Sequence, residues 1–352
     1  MTDLFQCCNL LKDFISEKLD GDIENFKQYN FLLLENDKKF GRCSEFGTGF
    51  DPDDTEIARA VYYLLFSNKV HDTDLDFSFS DIRTHKKYRG DTLNTFNTLF
   101  GENMERAVKY SNNDTAFIKE VEQFKNKCYV LGNFTMLPNL YANGQTINLY
   151  RGNWNTYKDY FDVFLYELNR CYEDVPDKDK TLSALMKANS FYFDIVNSME
   201  LFKRYNFLFP YFTTEGTIRD PFRSKVENWD RDPSRYVVFA HNYICISEHL
   251  IDMRIQAILR ILKRVIANVE IKIKYDEISR KFKNGKITKE QEGSEKEALL
   301  RKYDPNRKMD GTYWFMKIDL KYIIPNDITV KSKIYPEKSG SDYRKKAGKE
   351  YL

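Results

Sequence analysis

The chain has 352 residues, of which 42% are hydrophobic, 15% aromatic and 31% charged. That apolar content excludes a disordered chain, and the length allows one large domain or two. The net charge is +2, but residues 271–352 hold 21 Lys and Arg against 13 Asp and Glu, so the C-terminal end is basic and suits a nucleic-acid or acidic protein partner.

The first segment, MTDLFQCCNLLKDFISEKLDGD, places Leu4, Cys8, Leu11, Ile15 and Leu19 at helical spacing, with Thr2 as N-cap and Gly21 as stop. It mixes charge with apolar residues and so lacks the layout of a secretory signal. No window of the chain approaches the roughly 18 uncharged apolar residues of a membrane span. The expected location is cytoplasmic, with no membrane partner. Six cysteines without a CxxC pair exclude a disulfide framework and a zinc ribbon. Cys8, Cys171 and Cys245 read as small hydrophobes on apolar helix faces.

In FDPDDTE, Asp53 and Glu56 have capping-box spacing and predict a helix carrying Ile57, Val61, Leu64 and Leu65. Capping accounts for the acidic cluster, which lacks the calcium-loop pattern. Residues 71–80 alternate apolar and polar side chains and predict a short strand. RTHKKYRG, residues 83–90, is the best phosphate-contact segment outside the C-terminus, through Arg83, Lys86, Lys87 and Arg89.

Further helices are expected over 156–172 and 181–204, and a long one from the Asp232-Pro233 start to about residue 270. Residues 271–306 read as a charged helical hairpin broken at Asn284-Gly285. In residues 307–352, GTYWFMKIDLKYII and DITVKSKIY have strand spacing around Pro325-Asn326-Asp327, which predicts a C-terminal β-hairpin with a basic tail. The expected fold is mainly α, of α+β type: an N-terminal helical segment (1–45), a helical core (46–270), the charged hairpin, and the small C-terminal β-hairpin.

One stretch interrupts the helical pattern. GNFTMLPNLYANGQTINLYRGNW, residues 132–154, combines Gly132, Gly144 and Pro138 with Asn133, Asn139, Asn143 and Asn148, which predicts an ordered irregular segment packed by Phe134, Met136, Leu137 and Ile147. Arg151 offers a planar donor fork and is expected to reach outward.

YYLLFSNKV (62–70), YVLGNFTMLPN with GQTINLYRG (129–152) and YFDVFLYELNRCY (160–172) together resemble an uncharacterised bacterial family of unknown function. In that family an apolar strand ending near proline, a TIN-x-x-RG turn and an acidic amphipathic helix follow in this order. The likeness covers roughly residues 46–265. It implies no activity, and it makes Asn148 and Arg151 the polar members of the shared turn.

Two nuclease chemistries are compatible with single motifs. LGNFTMLPN is similar to the segment after the catalytic histidine in one group of His-Asn-His restriction enzymes, which would give His85 as base with Asn133 and Asn148 downstream. The acidic-histidine-aliphatic-x-proline pattern and the second histidine of that group are absent. RYVVFAHN places Arg235 and His241 at the spacing of an all-helical prokaryotic RNase, with Tyr236 where a polar residue is usual.

A metal site from His241, Cys245, Glu248 and His249 fails on helix geometry, because His241 and His249 lie about 12 Å apart along an axis rising ~1.5 Å per residue. Ligands from elsewhere in the chain would be needed, and the sequence names none. No Walker loop, dinucleotide glycine pattern or nucleophile elbow occurs. The sequence leaves the cofactor unknown. The sequence therefore points first to a binding role with RNA, DNA or an acidic protein, and second to a nuclease of a bacterial or phage conflict system.

Overall fold

The computed structural model describes residues 2–43, 49–67, 75–95, 108–109, 111, 113–152, 160–213, 215–218 and 233–303. It is mainly helical with a single two-stranded sheet among these residues. Helix α1 (Thr2–Lys18) buries the expected stripe of Leu4, Cys8 and Leu11 together with Cys7 and Phe14, and Gly21 ends the segment at φ +78°. Phe14 sits in an aromatic nest with Phe26, Tyr29, Phe31 and Phe40. Helix α2 (Glu56–Phe66) is buried from Ile57 to Phe66, because α1 and other elements cover it on every side.

Helix α3 (Phe79–Arg83) replaces part of the strand expected over 71–80. Ser78 and Asp81 form a reciprocal capping box, and Phe79 and Ile82 share the buried face at a three-residue interval, so local capping outweighs the alternating pattern. Residues 71–74 lie outside the described residues. The sheet pairs β1 (Tyr88–Thr92) with β2 (Phe134–Pro138) in antiparallel register, Gly90 opposite Met136 and Asp91 opposite Thr135. The C-terminal β-hairpin expected in residues 307–352 also lies outside the described residues.

Helix α4 (Thr115–Lys127) leads into the Gly132 turn and β2. A tight turn follows at Asn143 (φ +52°) and Gly144 (φ +77°), closed by the Ala142–Gln145 bridge. Thr146 then caps the short helix α5 (Ile147–Arg151). Helix α6 (Phe161–Tyr172) carries the predicted apolar face.

The expected helix 181–204 is three helices: α7 (Lys180–Ala188), α8 (Ser190–Phe193) and α9 (Met199–Tyr205). Asn189 causes the first break. Its Nδ2 donates to the Leu185 and Leu140 carbonyls while its Oδ1 accepts from the Leu140 amide, so the side chain serves the neighbouring loop. Ser198 starts α9 as its N-cap.

Helix α10 (Pro233–Lys283) spans 51 residues and its apolar stripes line the core, from Ile244 to Val269. It runs unbroken to Asn284-Gly285, where Gly285 takes φ +68°, and α11 (Lys289–Tyr303) folds back on it around Ile271, Tyr275 and Leu300. No helix among the described residues is long and apolar enough to cross a membrane.

Gly132 sets how closely the irregular segment approaches α10. A Cβ there would lie 2.6 Å from the Ile251 carbonyl oxygen and 2.9 Å from Ile255 Cβ. Its own carbonyl accepts from Arg254 Nη1 at 2.7 Å, while Arg254 Nε donates to the Asn206 carbonyl at 3.1 Å. Burial pulls this guanidinium down to about 10, so it stays charged at neutral pH and depends on those carbonyls. Gly132→Ala is therefore expected to destabilise the protein by about 1–3 kcal/mol through overpacking. A lowered urea midpoint with an unchanged m-value is the expected readout, and a midpoint equal to wild type would show that the turn can yield.

Candidate functional site

The acidic FDPDDTE segment and the basic RTHKKYRG segment, separate in sequence, come together at one end of α2. A 3-10 turn, Pro52–Asp54, precedes Thr55, whose side chain caps α2 by accepting from the Ala58 amide at 3.4 Å. The capping part expected of Asp53 thus belongs to Thr55. Asp53 instead points inward and accepts from Thr92 Oγ1 at 2.6 Å. Its backbone carbonyl accepts from Tyr62 OH at 2.8 Å and lies so close to β1 that a Cβ at Gly90 would meet it at 2.2 Å.

Around this turn lie five carboxylates: Asp51, Asp53, Asp54, Glu56 and Asp91. Arg59, 2% exposed, donates to Glu56 Oε2 and the Arg42 carbonyl, both at 2.7 Å, and its Nη1 is 3.5 Å from Asp54 Oδ1. His85 Nε2 binds the same Asp54 oxygen. A carboxylate only accepts there, so Nε2 carries the proton. Arg89 reaches Asp51 at 3.2 Å. Burial, and then the charge of Asp51, push the Asp53 carboxyl well above its usual range, and the Thr92 hydrogen bond opposes them. The five carboxylates face three guanidiniums, Arg59, Arg89 and Arg151, and the His85 imidazole. Asp53 Oδ1 is buried and has no hydrogen-bond partner, which agrees with a carboxyl that burial disfavours in its charged form.

Arg151 is the main correction to the sequence reading. It is 1% exposed, paired with Asp91, and donates to the Leu93 carbonyl at 3.3 Å, with its guanidinium 4.6 Å from the Phe161 ring centre. Ile147, Tyr150 and Arg151 share the buried face of α5, which carries Arg151 inward while Leu149 lies exposed. Asn148 is half-buried on that helix.

Asn133 is fully occupied as a brace. Its Nδ2 donates to the Asn94 and Cys128 carbonyls, and its Oδ1 accepts from the Asn94 amide and side chain, leaving nothing for a substrate. The structure does not join Asn133 to His85 in a His-Asn-His arrangement. His85 is instead tied to the loop through its own carbonyl, which accepts from Asn139 Nδ2.

The basic turn itself is accessible. Arg83, Lys86 and Lys87 are exposed, and Arg83 Nε lies 3.6 Å from Glu56. His85 keeps 11% of its side chain exposed and has φ +51°, a left-handed backbone just past the end of α3. Glycine is usual in such a place, and another residue costs roughly 1–2 kcal/mol. The placement of Asp54 under the histidine comes from tertiary packing, and the acidic cluster is its one trace in the sequence.

Arg235 lies in α10, and its side chain is outside the described residues. His241, its proposed partner, turns to α4, where its Nδ1 is 2.7 and 2.9 Å from the Glu120 carboxylate oxygens. Cys245 Sγ lies 3.8 Å from His241 Nε2, so Cys245 is half-buried beside a polar group and is not the apolar filler expected.

A family model described as a family of unknown function (DUF6994) matches residues 37–258, more than half of the chain. No curated protein and no solved structure matches it.

The raised Asp53 carboxyl has a measurable consequence. The native state keeps this proton at pH values where the unfolded chain, near the ordinary 3.8, has lost it. Its stabilisation is complete below that value and drains as pH rises toward the native pKa, by at most about 1.4 kcal/mol per pH unit. Asp53→Asn mimics the protonated form, so its urea-unfolding free energy should gain on wild type as pH rises above the ordinary carboxyl range. A difference that stays constant with pH means that the native carboxyl is not raised.

Proposed function

The chain belongs to that family, whose function is not established, and we propose from the geometry that it binds the phosphate backbone of a nucleic acid at the Arg83–Arg89 turn. The observation that carries this reading is His85, held in a left-handed backbone with its ring pinned by Asp54 beneath exposed Arg83, Lys86 and Lys87. Unfavourable backbone retained at a polar surface is a reason to look for function there. Lysines supply the sequence-independent attraction to phosphates, and an oriented imidazole adds a fixed donor or acceptor. Arg89 takes part as the partner of Asp51, setting the turn's base, while Arg151 is interior and supports β1.

A second reading follows from one feature of the same site. An imidazole whose far nitrogen is held by a buried carboxylate is arranged as a general base. A nuclease built on His85 needs this pair, with Lys86 and Lys87 holding the phosphate, and does not use Asn133.

Fluorescence anisotropy with a single-stranded RNA and a duplex DNA, over 50–200 mM salt, tests both. Each phosphate contact contributes about 0.9 to the slope of log K against log salt on duplex and about 0.7 on single strands. Lys86→Ala combined with Lys87→Ala should therefore flatten the slope by about 1.4–1.8 and weaken binding of every sequence. Equal slopes for wild type and the double variant, or no salt-sensitive binding at all, remove the turn as an interface. Cleavage of either probe by wild type and its loss in His85→Ala would establish the nuclease reading, and intact probe in both leaves binding alone.

A further inference from the structure

We propose that Glu120, His241 and Cys245 form a binding site for a zinc-class divalent cation. The site lies between α4 and α10 and shares no residue with the His85 turn. His241 and Cys245 are four apart on α10, so their side chains leave one face of the helix. The ligand that this pair lacks in sequence comes from α4, in Glu120, 121 residues before His241. One donor atom from each of the three residues lies within 4.8 Å of the others.

The spacing suits a small tetrahedral ion. With zinc–nitrogen and zinc–sulfur bonds of about 2.0–2.3 Å, two ligand atoms on one ion stand roughly 3.5 Å apart. The separation of Cys245 Sγ from His241 Nε2, 3.8 Å, is close to that edge. Glu120 holds His241 Nδ1, the arrangement in which a carboxylate fixes the ring so that Nε2 faces the metal. Its carboxylate can also swing to the third coordination position, because Glu120 and His241 are both only half-buried, with 28% and 36% of their side chains exposed. The remaining positions are open to water.

The donor set selects the ion class. A thiolate with an imidazole favours borderline-soft ions such as Zn²⁺, and neither Mg²⁺ nor Ca²⁺ suits it. A cysteine must lose its proton to bind a metal, so binding releases protons and affinity rises with pH. The charged groups nearest along the same face are Glu248, whose carboxyl burial holds above its usual range, and Lys127, which lies 3.9 Å from Glu248 and 3.1 Å from Asp252. Lys127 is thus engaged away from the three donors and does not cancel them.

The test uses the full chain, reduced and stripped with a chelator, then titrated with Co²⁺ as a spectroscopic probe and with Zn²⁺ in competition. Wild type should take up one ion per chain with release of protons and a thiolate-to-cobalt charge-transfer band, and Zn²⁺ should displace the cobalt and bleach that band. Cys245→Ser should abolish the band, and His241→Ala and Glu120→Gln should each weaken binding by about 10- to 100-fold. Cys171→Ser, a distant half-buried thiol, should change neither. Circular dichroism of each variant checks folding, and Glu120→Gln removes a half-exposed group from the shorter helix, so at least one folded variant remains. Absence of stoichiometric uptake by wild type, or a band that persists in Cys245→Ser, overturns the site.

Discussion

Among the described residues three guanidinium groups are buried, Arg59, Arg151 and Arg254, each at most 2% exposed. Burying such a charge costs several kcal/mol unless oxygens replace its water. Regular helices and strands spend their carbonyls on themselves, so the oxygens must come from side chains or from places where the backbone is irregular. That is where they are found. Arg254 uses the carbonyls of Gly132 and Asn206, Arg151 uses Leu93 with Asp91, and Arg59 uses Arg42 with Asp54 and Glu56. The glycine-asparagine stretch interrupts the helical pattern because part of it must offer a free carbonyl to α10 at short range.

The same constraint explains why acidic groups collect at the start of α2. Asp54 serves Arg59 and His85 together, so the turn that carries it has to be tight and must stay in register with β1. Gly90 permits that contact, since any side chain would strike the Asp53 carbonyl. The sheet is small, yet it aligns Asp91 for Arg151 and Thr92 for Asp53. Its two strands therefore fix the ionic interior more than they supply apolar area.

Elements whose evidence is a repeat within one segment were legible in the sequence. The stripes of α1, α2, α6 and α10, and the break at Asn284-Gly285, follow from spacing alone. TIN-x-x-RG reads as a turn in sequence, but Thr146 caps a helix there, and Ile147, Tyr150 and Arg151 fall on its one inward face. Asn189 was missed as a helix break because its partners, the Leu140 amide and carbonyl, lie 49 residues away. Glu120 beside His241 was equally out of reach. The four-residue interval from His241 to Cys245 was the visible half of that cluster, and only tertiary packing supplies the other half.

The two described histidines with carboxylate partners differ in a way that divides their chemistry. Asp54 is buried and lies between Arg59 and His85, so it has little room to turn away, and the His85 ring is a fixed group. A fixed ring suits recognition of a phosphate or transfer of a proton, where geometry must not drift. Glu120 is half-exposed, and water can replace it at His241 at little cost. That ring is less firmly held, with the Cys245 sulfur 3.8 Å from its other nitrogen. Depth of the carboxylate, more than the presence of histidine, sets which reaction each site can support.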